Sequence, residues 1–290
     1  MRIAVGIATV GRPQLLHAVL DDLARQSRPP DRVLVCAPSI VDVGEGRFDT
    51  SVEVILGSRG LTRQRNAILD KVGDFDVVVF FDDDFLPAPC YLDVVEQIFG
   101  AHRDVVMVTG QVIADGIKGP GLALAEARRR LSEISSHSDI PGTLTDVGNA
   151  YGCNMAIRLA AVQAVGGRFD ERLPLYGWLE DVDFSRQLAP CGRIVKARGA
   201  RGVHLGVKQG RQSGVRLGYS QIANPIYLLR KGTCPWGHAL KMMSRNFAAN
   251  CVRSLNPEPY VDRLGRVAGN VKALKDMIFG RLAPERILDL

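Results

Sequence analysis

Two acidic clusters offer this chain its chemistry. The first, Asp82-Asp83-Asp84, ends the apolar run Val77-Val78-Val79-Phe80-Phe81. The second, Glu180-Asp181-Val182-Asp183, follows Trp178-Leu179. Carboxylates gathered at the C-terminal end of a buried strand are costly unless a cation accompanies them. A hard divalent ion is the simplest such cation, and an ion held by carboxylates commonly holds a phosphate too. The later cluster then offers a general base. Together they suggest transfer of a group from a nucleotide diphosphate. The bland alternatives are an acidic turn before Phe85-Leu86-Pro87 and, for the second cluster, acids favoured by the dipole at the start of a helix over 179–189.

The elements that must carry these clusters are legible around them. Residues 2–8 read as a buried strand, and Arg12-Pro13 opens a helix with Leu16, Val19, Leu20 and Leu23 on its apolar face. Val33–Cys36 and Val52–Leu56 are strands, 61–71 is helical, and 76–82 delivers the aspartates. This β-α-β-β-α-β succession predicts an α/β fold: a Rossmann-like, mostly parallel sheet with helices on both faces. Ligands of such sheets bind beyond the carboxyl ends of the strands. Thr9, Arg63 and Asp82 to Asp84 fall at that rim. Residues 111–150 read as irregular apart from a helix near 121–135, whose Arg128-Arg129-Arg130 is either a solvated face or an acceptor-side or membrane-facing surface.

Five segments in order resemble the family 2 glycosyltransferases of the GT-A fold. Asp82-Asp83-Asp84 resembles the DxD motif and Glu180-Asp181 the ED motif. Thr9-Val10-Gly11-Arg12-Pro13 is similar to the opening segment. Gly60-Leu61-Thr62-Arg63-Gln64-Arg65-Asn66-Ala67 is similar to the G…RN segment, and Gly152-Cys153-Asn154-Met155-Ala156-Ile157-Arg158 to the stretch before ED. The resemblance spans roughly residues 1–232. It implies an inverting transfer from a nucleotide diphosphate sugar to a hydroxyl. Asp84 and Asp82 would hold Mg²⁺ or Mn²⁺ across the two phosphates. Thr9, Arg12, Arg63, Arg65, Asp82, Asp83 and Asn154 would bind donor, Asp83 as a ribose contact. Asp181 would be the base, with Glu180 beside it on the acceptor and Asp183 a further candidate. Trp178 would offer a face to an acceptor sugar or serve as core. His204, in Gly202-Val203-His204, is either a third metal or phosphate ligand or a packed histidine. Lys208, Arg211 and Arg216 form either a loop closing on the diphosphate or a solvated one. One departure stands out: the second strand ends in Cys36-Ala37-Pro38-Ser39, where the family carries an aspartate that reads uracil. UDP is the first choice of nucleotide; GDP and dTDP stay open.

Composition narrows the rest. The 290 residues are 46% hydrophobic, ample for a core, with a formal charge of +6 and a pI near 9.1. Aromatics are 6% and no nucleic-acid-binding pattern is visible, so nucleic acid is set aside in favour of phosphorylated ligands or anionic lipid. The six cysteines show neither CxxC nor a disulfide framework. The opening Arg2–Ala8 reads as a strand rather than a leader, and no apolar run is long enough to span a bilayer. A catalytic domain is expected over 1–232, with a donor half near 1–115 and an acceptor half near 116–232. A basic, amphipathic helical region follows over 233–290. Its stripes are Leu240, Met243, Phe247 and Cys251, then Leu264, Val267, Val271, Leu274, Ile278 and Leu282, with Arg263, Arg266, Lys272 and Lys275 around the second. They predict contact with an anionic membrane; packing on the catalytic domain and homodimerisation compete. The whole reads as a cytoplasmic enzyme, peripheral on the inner face of the membrane, acting on a glycan or polyprenyl-linked acceptor in polysaccharide assembly. Its rivals are a degenerate GT-A module that binds a glycan or partner, and a nucleotidyltransferase. The latter needs a glycine-rich loop after the first strand, where Ala8-Thr9-Val10-Gly11-Arg12 is too poor in glycine.

Overall fold

The computed structural model describes residues 1–45, 51–133, 143–208 and 213–290. Its strands, in chain order, are β1 Ile3–Ala8, β2 Arg32–Ala37, β3 Val52–Leu56, β4 Val77–Asp82, β5 Phe85–Pro87, β6 Val105–Asp115, β7 Leu144–Asp146, β8 Asn154–Arg158 and β9 Arg193–His204. The helices are α1 Pro13–Ala24, α2 Ile40–Val43, α3 Leu61–Leu69, α4 Tyr91–Ala101, α5 Leu124–Ser132, α6 Leu159–Val165, α7 Glu180–Leu188, α8 Gly214–Lys231, α9 Trp236–Arg253 and α10 Arg263–Ile278. The described residues of Met1–Arg59, Arg63–Arg168 and Gln187–Gly210 form one compact unit. Those of Gly60–Thr62, Phe169–Arg186 and Arg211–Leu290 form a second.

The first unit holds the sheet, in the order β3-β2-β1-β4-β8-β6-β9-β5 with β7 added on β9. β3, β2, β1 and β4 run parallel. Buried strands of this kind read as continuous apolar runs, as Val77 to Phe81 does. β8 is antiparallel to both β4 and β6, while β6 and β9 run parallel. β4 passes through a tight turn into β5, which pairs antiparallel with β9 so that Phe85 faces His204. The turn is fixed from below by Phe81 stacked on Phe85 at 5.2 Å, with Tyr91 edge-on to both.

The stretch 111–115, expected to be irregular, is strand. β6 continues through it beside β9, with shifts of register, and ends with Asp115 opposite His204. Half-buried polar residues such as Gln111 and Asp115 hide the alternation that would have marked it. The triple arginine of α5 is spent on its surroundings: Arg128 binds Asp22, and Arg129 and Arg130 bind Glu126.

In the second unit α8 packs with α9 and α10. α8 and α10 approach at glycines: a Cβ on Gly218 would lie 2.1 Å from the Arg266 carbonyl oxygen, and one on Gly269 2.0 Å from that of Val215. A buried polar network ties the three together. The Asn250 amide donates to Gln221 Oε1 and Asn270 Oδ1, Asn270 donates to the Gly218 carbonyl, and Arg263 donates to Asn250 Oδ1. The apolar stripe expected on α10 divides. Leu274 and Leu282 pack on a core of Tyr219, Ile222 and Ala273, whereas Leu264 and Ile278 are 68% and 78% exposed. Among the described residues, no helix is long and apolar enough to cross a membrane.

Candidate active site

The end of β4 gathers the acidic turn and its partners. Ala8 lies opposite Asp82, which places Thr9 beside the turn. Thr9 Oγ1 donates to Asp83 Oδ2 at 2.6 Å, and an Arg12 terminal nitrogen sits 2.6 Å from Asp83 Oδ1. Asp83 has no exposed surface. Burial pushes its carboxyl up to about 7, against the pull of Arg12. Asp83 is therefore the anchor of the turn, drawn inward by Thr9 and Arg12, and not the ribose contact expected of it. Arg12 also lies 3.5 Å from Asp84.

Asp82, Asp84 and His204 each present a ligand atom, all within 4.8 Å of one another. Asp84 Oδ1 is 3.3 Å from His204 Nε2, and Asp84 Oδ2 accepts from the Val207 amide at 2.9 Å. On its other side His204 Nδ1 meets Asp115 Oδ1 at 2.9 Å, and the Tyr151 hydroxyl donates to Asp115 Oδ2. A carboxylate on the far nitrogen of an imidazole fixes the ring and raises its basicity, as it does for histidines that bind metals. Burial works to lower the His204 imidazole, but the hydrogen bonds with Asp115 and Asp84 outweigh it and push it up to about 10. Burial likewise works to raise Asp84, and the His204 hydrogen bond and charge hold it below the usual carboxylate range instead. Asp82 is raised chiefly by burial, with Arg65 pulling it down and Asp84 pushing it up. The cluster thus demands a positive charge. Two carboxylates and one oriented imidazole fit a hard divalent ion such as Mg²⁺ or Mn²⁺.

The second cluster opens α7. The carbonyl of Gly177 accepts from the Glu180 amide, and Asp181 Oδ1 accepts from the Val182 amide at 2.8 Å. Glu180 is buried and Asp181 half-buried. Asp183 has no exposed surface; it accepts from Lys231 Nζ and Thr233 Oγ1, both at 2.7 Å. Lys231 also reaches Asp170 at 2.7 Å. Asp183 is thus committed to holding α7 on the end of α8, which removes it from the candidate bases. The segment before α7 is held in an unusual conformation. Leu175 and Leu179, on either side of Trp178, have φ of 59° and 74°, in the left-handed region that side chains avoid. Asn224 donates to the Trp178 carbonyl at 2.7 Å, and the Leu61 amide donates to that of Leu175 at 2.8 Å.

A sequence profile described as glycosyltransferase like family 2 matches residues 1–198. The chain belongs to that family. No match to a curated protein was found by sequence comparison. Among solved structures, the chain is similar to S. aureus TarS 1-349 in complex with UDP-GlcNAc, at 17% identity and a TM-score of 0.57, covering 99% of this chain and 83% of that one. It is also similar to the mannosyltransferase PcManGT from Pyrobaculum calidifontis in complex with GDP-Man and Mn²⁺, at 17% identity and a TM-score of 0.53, covering 99% and 85%. The chain spans 40% of a longer TarS structure. These likenesses are of fold, and the fold is GT-A.

Other expected donor residues of this glycosyltransferase-family chain fall variously. Arg65 is 1% exposed and donates to Asp82 at 3.1 Å and to the Gly152 carbonyl at 2.7 Å, so it braces the metal-side turn. Arg63, on the same helix, is exposed. Asn154 is not placed to touch a donor. It is fully buried, and its Oδ1 accepts from the Tyr91 and Thr109 hydroxyls and the Gly110 amide. Trp178 is half-buried. Lys208 donates to the carbonyls of Gly116 and Ile117, and Arg216 to that of Leu290; Arg211 lies outside the described residues. Asp115, Lys231 and Asn224 were missed. Asp115 carried one signal, an acid ending an apolar run, as Asp82 does.

Proposed function

We propose that the protein is an inverting, metal-dependent glycosyltransferase that moves a sugar from a nucleotide diphosphate sugar to a hydroxyl of a glycan or polyprenyl-linked glycan. The observation that carries this reading is the Asp82–Asp84–His204–Asp115 constellation in a chain of family 2. Asp82, Asp84 and His204 would hold Mg²⁺ or Mn²⁺. When bound, such an ion neutralises charge that develops on a departing diphosphate. Thr9 and Arg12 hold the turn through Asp83, and Arg65 holds Asp82. Asp181 takes the proton from the acceptor hydroxyl as it attacks, Glu180 orients that hydroxyl, and Trp178 offers the sugar an apolar face. TarS and PcManGT, crystallised with UDP-GlcNAc and GDP-Man, support a nucleotide-sugar donor without choosing its base. UDP is the first choice.

A membrane-side acceptor in polysaccharide assembly, at the inner face of the cell membrane, is supported by the last two helices. α9 has no acidic residue, and the single acid of α10, Asp276, is buried against Tyr219 and Arg286. Lys241, Arg245, Lys272 and Lys275 lie on these helices among exposed Leu240, Leu264 and Ile278. Attraction to anionic lipid is worth roughly 1 kcal/mol per basic residue at the surface. Thermal shift with UDP-, GDP- and dTDP-sugars and Mn²⁺ tests the donor: one nucleotide class should raise Tm, and only with the ion. Equal shifts with and without Mn²⁺ would refute the metal-bridged donor. Failure of the full chain to sediment with anionic vesicles at low salt would refute the membrane part alone.

A further inference from the structure

A cavity of about 350 Å³ lies within the second unit, at the size where pockets for small ligands begin. The lining includes Ile226, Leu282 and Pro284. It also includes Arg172, Arg230 and Lys231, and no carboxylate belongs to it among the described residues. The carboxylates that pair with these cations lie outside the lining. Glu285 takes Arg172 Nε, leaving that guanidinium's terminal nitrogens; Asp170 and Asp183 take two of the three protons of Lys231 Nζ. Arg230 is exposed and has no ion pair among the described residues. Three cations of the lining therefore keep unspent donors.

We propose that this cavity binds a phosphate monoester or diphosphate, with the ligand's carbon part against Ile226, Leu282 and Pro284. A phosphate has three or more acceptor oxygens pointing apart, which suits two guanidinium forks and an ammonium better than a single carboxylate would. Glu285, Asp170 and Asp183 offset the three cations in formal charge. Recognition is therefore by short hydrogen bonds rather than long-range attraction. Leu282 follows the exposed Ile278 and Phe279, 78% and 65% accessible, so a lipid headgroup and a free phosphate ester share this chemistry. Lys231 also holds Asp183 on α7, so an occupant is linked to the helix that begins with Glu180 and Asp181. If the source is a lipid, the site receives the phosphorylated part of an acceptor, and only that part of the inference rests on the transferase reading.

The test keeps the metal side silent with EDTA and titrates the full chain with inorganic pyrophosphate and with glycerol 3-phosphate, reading Tm and heat. A saturable response is expected, weakened about tenfold or more in Arg230→Ala and abolished in Arg230→Glu; a tenfold loss corresponds to about 1.4 kcal/mol. Arg230 is exposed and has no ion pair among the described residues, so both variants should fold as the parent does. In a second arm, vesicles doped with phosphatidate are compared with vesicles doped with phosphatidylserine. A preference for phosphatidate that Arg230→Glu removes identifies the lipid source; a response confined to the soluble probes identifies a free ester. No saturable response in either arm, or responses that the Arg230 variants leave unchanged, would overturn the proposal. Donor binding with Mn²⁺ is scored separately, so loss of the transferase reading leaves this result standing.

Discussion

Replacing Asp183 by asparagine should destabilise the protein without touching the metal side. The carboxylate is fully buried and takes two hydrogen bonds of 2.7 Å, from Lys231 and Thr233. A hydrogen bond to a charged group contributes about 1.5–3 kcal/mol net. The amide can still accept from Thr233. Lys231 retains Asp170 and is 28% exposed, which discounts the loss on its side. The expected cost is about 1–2 kcal/mol, or a Tm lower by roughly 2–8 °C. Asp183→Ala, which takes one acceptor from Lys231 and one from Thr233 and leaves the buried site unfilled, should cost about 3–5 kcal/mol. The assay is urea denaturation of the full chain, with Mn²⁺-dependent donor binding measured in parallel. Asp181→Asn is the contrast. Its half-buried carboxylate at the start of α7 should shift stability by no more than about 1 kcal/mol. If Asp183→Asn unfolds at the parent midpoint, the bond to Lys231 does not hold the helix, and Asp183 returns to the candidate bases.

Asp84→Asn should lose Mn²⁺-dependent binding of nucleotide sugar; calorimetry showing parent affinity would remove Asp84 from the metal site. Asp181→Asn should bind donor normally and turn over about 10²–10⁴-fold more slowly, and a near-parent rate would move the base to Glu180. Acid should erode a contribution from Asp170. Burial works to raise this carboxyl, but hydrogen bonds from Lys231 and Tyr227 outweigh it and leave it depressed. Its stabilisation is complete above the ordinary carboxylate range near 3.8 and is lost as pH falls through the lower folded value. Asp170→Asn should be less stable than the parent at neutral pH, and the gap should begin to close only below about pH 4; a gap in Tm that does not narrow as pH falls further would refute this.

The strand ends and the acidic turn were legible because both leave marks in the chain. An apolar run that stops at three aspartates fits the end of a buried strand and little else, and Gly202-Val203-His204 stood near the place where a ligand is wanted. Whether His204 was ligand or filler depended on Asp115, whose strand was hidden by half-buried polar residues and shifted register. Asp83 and Asn154 belong to motifs that suggest ligand contact, yet both face inward. A motif preserves a residue type, while alternation along the chain and local hydrogen bonds decide which way it points. The pairing of Asp183 with Lys231 crosses most of α8, and nothing in either neighbourhood announces the other. The C-terminal stripe reads in the sequence as one face. The structure divides it because small and polar residues, Gly269, Asn270 and Ala273, are what α10 buries.

The two leucines in left-handed conformation beside Trp178 have a consequence for any programme of directed evolution on this protein. Each holds a backbone geometry that costs a side chain about 1–2 kcal/mol and costs glycine almost nothing. Both leucines also pack on the cores around Tyr219 and Leu228, a contribution larger than the strain, so a library screened for heat resistance should keep bulk at 175 and 179 rather than drift to glycine. A library screened for sugar transfer should retain bulk there, because the same geometry sets the approach of Trp178 and Glu180 and a glycine would let the segment relax. The two positions should therefore resist drift in both libraries, and glycine gained at either would mark a library released from selection for fold and for transfer.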